Sequence, residues 1–444
     1  MNKKSISIME TVKNRLTSPY FKEAYRSQGI FFCRNRTLNF VTVTLLILNN
    51  ISKSLGVEVT KFLQKFFGYG QDASKQAFSK ARYKLKPEAF IDLNDTFIQA
   101  YYSAGDFKLY REKYLLLASD GSDYELPWEQ ELREVFGVAD NGQGERPLCM
   151  AKGVKIWDVL NQLTVASKLG SYNTAEIRIF DEVWQKALKL LREVQQARLL
   201  LLGDMHYPSF PLMIDLVEAE ADFLFRCPPT FCREVAAFMK SQEQEATLHI
   251  ILAADSFRKS RMKRVHGRVA PQELCVRGVR IVRPDGQETC LLTSVSASDL
   301  DAASIGALYC CRWGEEVSFN FDKNRVEIEN FSAKLPQGIQ QEYYASTLFT
   351  NLTQLIVEDA QELLEEEQRS KANKHQYQIN RSIAAGLIKD EIPKMLFGKE
   401  KPVTFYKRMI TLILKHREPI RPGRIYPRKR KHKLRFSMNS RRVV

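Results

Sequence analysis

The chain has 444 residues, with 67 Lys and Arg against 52 Asp and Glu, a formal charge of +15 and a pI near 9.3. That length is enough for two or three domains with a full hydrophobic core, and the basic excess points to a polyanionic partner. The eight cysteines contain no Cys-x2-Cys pair and the six histidines do not cluster near them in sequence, so neither a structural zinc site nor a disulfide framework is expected. The opening "MNKKSISIMETVKNR" has no apolar core after its lysines, and the apolar run Phe40 to Leu48 is nine residues, too short to span a bilayer. An intracellular protein with no membrane segment is expected.

Residues 1 to 105 read as helical, because apolar residues recur at helical spacing through "NFVTVTLLILNNISKSLGVEVTKFLQKFFGYG" and "PEAFIDLNDTFIQAYY". Between them, "DASKQAFSKARYKL" predicts a short helix capped by Asp72 or Ser74 and made basic by Lys75, Lys80, Arg82 and Lys84. Such a helix after a Gly-containing turn resembles the second helix of a helix-turn-helix, and a plain helical bundle with a charged outer face fits the same residues.

From Tyr114 the pattern changes to strands. "YLLLASDG" is an apolar run ending in acid and glycine, and "MAKGVKIWDVLNQLTVASKLG" reads as a hairpin around Asn161. "NTAEIRIFDEVWQKALKLLREV" then predicts a helix with Thr174 as N-cap, and "ARLLLLGD" a second buried strand ending in an aspartate. Strand, hairpin, helix and strand imply an α/β mixed sheet covered by helices, with a site at the strand ends. Between Asp204 and Glu316 lie 111 residues rich in strand-like runs, with a Pro-Asp-Gly turn at 284 to 286. This interval reads as a β-rich insertion. Helices follow, one from Gln337 to about Glu367 and two more between 375 and 416. From Lys415 to Arg435 ten residues are Lys or Arg and only Glu418 is acidic, a tail suited to phosphates.

The predicted organisation is therefore a helical DNA-binding region (1–105), a first catalytic part (106–204), the β-rich insertion (205–300), a catalytic helix region (301–335) and a helical, basic C-terminal region (336–444).

Asp120 and Asp204 end apolar runs of similar kind, "LLLASD" and "LLLLGD". If those strands are neighbours, both carboxylates emerge at one sheet edge. Downstream, Tyr309, Arg312, Glu316 and Lys323 follow the spacing Tyr-x2-Arg-x3-Glu-x6-Lys. At a helical period they fall within a sector of roughly 60°. A carboxylate flanked by cations and a phenol suits a metal-assisted phosphate site, whereas the same charges on an exposed amphipathic helix would simply be ion pairs. Three carboxylates at one point repel unless a cation is present, and two metals can drive an in-line displacement at phosphorus.

With these residues in place, the chain resembles the cut-and-paste insertion-sequence transposases that have an RNase H-like catalytic domain, in the group defined by an acidic triad and a Tyr-Arg-Glu-Lys signature. "ASDGS" resembles that family's first-aspartate motif and "LLLGD" its second, and the four signature positions match at every spacing. The resemblance implies an RNase H-like fold with an insertion between the second Asp and the Glu. It implies an enzyme that cuts double-stranded DNA at transposon terminal inverted repeats, through a hairpin on the transposon end, and joins the freed ends to target DNA. By position, Asp120, Asp204 and Glu316 are its catalytic metal ligands for Mg²⁺ or Mn²⁺, with two ions, and Tyr309, Arg312 and Lys323 its DNA-binding residues. A homodimer on DNA is also implied, each protomer acting on the end bound by the other. The second motif departs from relatives, reading Asp204-Met205-His206-Tyr207 where they continue Asp-Arg-Gly-aromatic, so one DNA contact is in question and His206 is a substitute donor. For stacking on a flipped base, Phe223, Phe225, Phe231, Phe238 and Phe257 are candidates, most of them expected in the core, and Trp313 is expected to pack. Two other readings stand beside the transposase: a structure-selective endonuclease on the same fold, and a non-catalytic DNA-binding regulator derived from a transposase.

Overall fold

Leucine runs at 115–117 and 199–202 alternate between the two faces of a sheet and set the frame of the protein. The computed structural model describes every residue except 1–2, 35, 50–53, 69, 71, 141–146, 193–196, 254, 270–272, 283–285, 370–374, 399 and 422–444. The chain begins with helices α1 (Lys3–Thr17), α2 (Pro19–Tyr25), α3 (Phe40–Leu48), α4 (Leu55–Phe67), α5 (Lys75–Arg82) and α6 (Glu88–Ser103). There follow β1 (Tyr114–Glu125), α7 (Gln130–Phe136), β2 (Val138–Ala139), β3 (Leu148–Asp158), β4 (Leu163–Ser171), α8 (Glu176–Leu191) and β5 (Arg198–Gly203). Next come α9 (Phe210–Glu218), β6 (Asp222–Cys227), α10 (Arg233–Lys240), β7 (Glu245–Ile251), β8 (Glu273–Val282) and β9 (Glu288–Thr293). The chain continues through α11 (Ala302–Cys310), α12 (Trp313–Asn324) and the long α13 (Pro336–Arg369). It closes with β10 (Tyr377–Ile379), α14 (Arg381–Lys389), α15 (Ile392–Phe397), α16 (Pro402–Leu414) and β11 (Arg417–Pro419).

Strands β1 to β9 form one mixed sheet, with the path β4-β3-β1-β5-β6-β9-β8-β7 and β2 also on β3. β1, β5 and β6 run parallel, and β3 is antiparallel to both β1 and β4. The run β4-β3-β1-β5-β6, with only β3 reversed, has the order and polarity of an RNase H-like sheet, so the α/β expectation holds. β9, β8 and β7 add antiparallel strands beyond β6. The β-rich stretch thus extends the same sheet and covers the edge that β6 would otherwise leave open.

The two sheet faces have separate cores. Leu116 and Ala118 of β1, Leu200 and Leu202 of β5 and Leu224 of β6 pack with Ile305, Leu308 and Tyr309 of α11. Leu115, Leu117, Leu201 and Phe223 face the other way, into the larger core with Phe180, Val183 and Trp184 of α8 and the apolar face of α13. Each such leucine contributes about 1.5–3 kcal/mol, and a slip of one residue would turn all of them to the wrong face. The alternation that locks this register also decides the face from which Asp120 projects.

Some local expectations change. β1 does not stop at Asp120 but continues to Glu125, paired with β3. α8 begins at Glu176 with no side-chain cap, so Thr174 does not serve as one. Ser74, rather than Asp72, caps α5, accepting from Ala77 N at 3.1 Å. On α5, Arg82 is 1% exposed and turns inward, ion-paired with Glu342 at 2.8 Å and bonded to Gln341 and the Gly338 carbonyl, while Lys75 and Lys80 stay exposed. One cation of the expected basic face is therefore a fastener between α5 and α13. The segment 375–416 holds three helices, not two. Residues 284 and 285 of the expected turn, and the basic tail from 422 onward, lie outside the described residues. Among the described residues no helix is long and apolar enough to cross a membrane.

Candidate active site

Ala118 and Leu202 are the last paired rung of the parallel β1–β5 ladder. Two residues further along, Asp120, still within β1, and Asp204, just past the carboxyl end of β5, lie within electrostatic reach of each other. Because β5 ends there, the Asp120 N–H has no strand partner on that side, and Glu315 Oε1 of α12 accepts it at 2.9 Å. Asp204 Oδ1 accepts from His206 N at 2.8 Å, which pins the loop after β5. In that loop Tyr207 is buried, and its hydroxyl donates to Glu176 Oε1 at 2.8 Å and lies 3.2 Å from Ser119 Oγ.

The signature residues do not share one uninterrupted helix. Between α11 and α12 the N–H groups of Cys311, Arg312, Gly314 and Glu315 bond back three residues instead of four, at 3.0–3.2 Å. This tightening is a short 3₁₀ junction, and Arg312 keeps helical angles (φ −53°, ψ −33°), so the chain direction is preserved. Tyr309, in the last turn of α11, is buried near Arg312, Arg226 and Asp204. Arg312 is 4% exposed; its guanidinium donates to Glu316 Oε1 at 3.1 Å and is also within electrostatic reach of Asp120. Asp120, Asp204, Tyr309 and Arg312 are thus brought together, and Glu316 is tied to them through its bond to Arg312. Lys323 lies about two turns further along α12. Its ammonium donates to the Asp123 carbonyl, stands 3.7 Å from Glu329 and rests over the Tyr124 ring at 4.8 Å, alongside the last part of β1.

Burial at this edge pushes the Asp120 carboxyl up to about 6, helped by the carboxylates of Glu176 and Asp204 and opposed by the Gly121 N–H and Arg312. Glu315 is 0% exposed, and burial together with Asp120 holds its carboxyl well above the usual range. Its second oxygen, Oε2, has no hydrogen-bond partner among the described residues. Glu176 packs so closely on Gly121 that a Cβ at 121 would collide with its carboxylate. Directly across the β1–β3 ladder from Asp120 is Lys155, 3% exposed, whose ammonium donates to Ser318 Oγ at 2.7 Å and Asp322 Oδ2 at 2.9 Å. That buried cation fastens α12 to the sheet. Arg226 of β6, two residues beyond the Leu202–Leu224 rung, extends the row on the far side of Asp204.

Carboxylates crowded at a half-buried edge, with oxygen as the only donor type, fit a hard divalent cation, and the flanking guanidinium groups fit phosphate. Sequence reading missed Glu176, Glu315, Lys155 and Arg226. A lysine inside the apolar "KGVKIWD" is a signal that could have exposed Lys155, since a buried lysine needs a partner. Nothing in the doublet Glu315-Glu316 tells which member faces the strand. Of the aromatic candidates, Phe223, Phe225, Phe238 and Phe257 are in the core, whereas Phe231 is half-buried against Phe210 at 5.0 Å. Trp313, expected to pack, is 51% exposed beside Arg312.

The family model described as Transposase DDE domain matches residues 115–352. Among solved structures the chain is similar to a piggyBac transposase, determined by cryo-EM in a synaptic complex with hairpin DNA, at 10% identity and a TM-score of 0.45, covering 95% of this chain and 84% of that one. No curated protein matches the sequence. The family match takes in both aspartates and all four signature residues and spans more than half of the chain: the protein belongs to the Transposase DDE domain family, DNA-cleaving and strand-transferring enzymes that use divalent metal ions.

Proposed function

We propose that Asp120, Asp204 and Glu316 hold the divalent ions of this transposase, and that Tyr309, Arg312 and Lys323 bind phosphates at the end of the transposon strand. The observation that carries the reading is the single row at the sheet edge: two aspartates side by side past the last β1–β5 rung, with Arg312 within electrostatic reach of Asp120 and bonded to Glu316. Glu176 is a fourth acid in reach of Asp120. The oxygen-only donor set suits Mg²⁺ or Mn²⁺, two ions rather than one. Bound ions supply an activated water or 3′-hydroxyl and stabilise the leaving oxygen. The protein's own residues do the holding. Glu315 and Lys155 fix α12 against β1, and Arg312 steadies the Glu316 carboxylate while keeping further N–H groups for a phosphate. Arg226 stands on the Asp204 side of the row, where the second motif lacks its arginine.

The substrate is double-stranded DNA at terminal inverted repeats, joined afterwards to target DNA, with two protomers each acting on the end held by the other. Excision runs through a hairpin, and Phe231 and Trp313 are the rings near the site open enough to meet a displaced base. The Tyr-Arg-Glu-Lys spacing assigns the chain to the insertion-sequence group of that name. Residues 1–105 and 336–444 serve DNA binding around the catalytic parts 106–204 and 301–335, with 205–300 as the insertion.

The test is cleavage of duplex oligonucleotides carrying the element's terminal repeats, in Mg²⁺ and then in Mn²⁺. Asp120→Asn, Asp204→Asn and Glu316→Gln should each lower cleavage by more than about a thousandfold while end binding in a gel shift is retained. Retained cutting by any one variant overturns its assignment. Joined products distinguish a transposase site from a nuclease that only cuts.

A further inference from the structure

The outer strands of the sheet carry a second group of side chains with different ligand chemistry. β7 and β8 pair antiparallel, with His249 opposite Cys275 and Ile251 opposite Glu273. Leu248, Ile250, Leu274 and Val276 are buried, so the period-two alternation sends His249, Glu273 and Cys275 to the solvent-facing side. Cross-strand and diagonal neighbours on one face are close enough to touch. Cys275 Sγ lies 3.3 Å from His249 Nδ1 and 3.5 Å from Glu273 Oε1, and His249 Nδ1 also meets Glu273 Oε1.

We propose that His249, Glu273 and Cys275 form a binding site for a borderline-soft divalent cation of the Zn²⁺ class, separate from the acid row. Ligands on a tetrahedral Zn²⁺, at about 2.3 Å for sulfur and about 2.0–2.1 Å for nitrogen and oxygen, stand roughly 3.3–3.6 Å apart. Both sulfur distances have that spacing. The His249–Glu273 contact is shorter, and a rotation of the exposed Glu273 side chain opens it. All three ligand atoms lie within 4.8 Å of one another, and all three residues are exposed, which leaves a fourth position for water. Thiolate and imidazole select Zn²⁺ over Mg²⁺, whereas the carboxylate row on the central strands β1 and β5 has the opposite preference. Binding exchanges the Cys275 S–H bond for a metal–sulfur bond and releases that proton to solvent. Because β7 is the outermost strand and, among the described residues, pairs only with β8, an ion bridging His249 and Cys275 ties the sheet edge across that ladder.

The test uses the full chain without DNA and Co²⁺ as the probe. One equivalent of Co²⁺ should produce a thiolate-to-metal charge-transfer band that Zn²⁺ displaces; oxygen ligands at the acid row give no such band. Cys275→Ser should abolish the band, while Cys33→Ser and Cys310→Ser, at the other exposed thiols, leave it intact. His249→Ala keeps the thiol and should weaken Zn²⁺ binding, measured by titration calorimetry, at least tenfold. Mg²⁺-dependent cleavage by both variants should equal that of the unaltered protein, which separates this site from the acid row. No stoichiometric band, a band that survives Cys275→Ser, or an affinity unchanged by His249→Ala overturns the proposal.

Discussion

The middle of the sheet and its outer edge place charge in opposite ways. β1 is apolar on both faces from Tyr114 to Ala118, and its first acid, Asp120, emerges into a half-buried edge where burial, helped by Glu176 and Asp204, raises its carboxyl. β7 alternates strictly, so Glu245, Thr247 and His249 face water while Leu248 and Ile250 are buried. A charged group on the first kind of strand must be compensated by other protein groups or by a cation. One on the second kind is solvated, and its neighbours are set only by register. Buried charge therefore couples to the stability of the whole sheet, and exposed charge does not.

That contrast can be broken or sharpened by substitution. Lys155→Met should have the largest effect, since it leaves the Asp322 carboxylate and the Ser318 hydroxyl without their buried cation; a loss of about 3–5 kcal/mol in denaturant unfolding is expected. A much smaller loss would mean that α12 is held by other contacts. Next is Arg312→Ala, expected to slow cleavage about 10²–10³-fold at saturating DNA. Arg312→Lys should rescue only partly, because an ammonium lacks the planar fork. Gly121→Ala forces a methyl against Glu176 and should cost about 1–3 kcal/mol, a loss relieved when combined with Glu176→Ala. Additive losses in that double-mutant cycle would show that the two residues do not touch.

The comparison is finer at Glu315. Glu315→Ala strands the Asp120 N–H and should cost about 1–3 kcal/mol. Glu315→Gln keeps an acceptor for that N–H at a position where burial already disfavours a charge, so its cost should stay below about 1 kcal/mol; equal losses in the two variants would show that accepting from Asp120 N–H is not what Glu315 contributes. Smallest of all, Cys275→Ser measured in the presence of chelator should shift stability by no more than about 0.5 kcal/mol, as for other exposed positions.

What the amino-acid order determined by itself is whatever depends on near neighbours. Apolar runs located β1 and β5, the helical period located α6 and α13, and the fixed Tyr-x2-Arg-x3-Glu-x6-Lys spacing survives even a 3₁₀ junction because three- and four-residue steps keep side chains on one side of a helix. Groups that meet only because strands are ordered in space were invisible. Glu176 reaches Asp120 across the end of the sheet, Lys155 faces it through a ladder register, and Arg82 leaves an outwardly basic helix to pair with Glu342. The same holds for His249 and Cys275, far apart along the chain and without any metal-binding spacing, yet opposite each other on β7 and β8. Periodicity specifies which face a residue occupies, and only the packing of distant segments decides what stands beside it there.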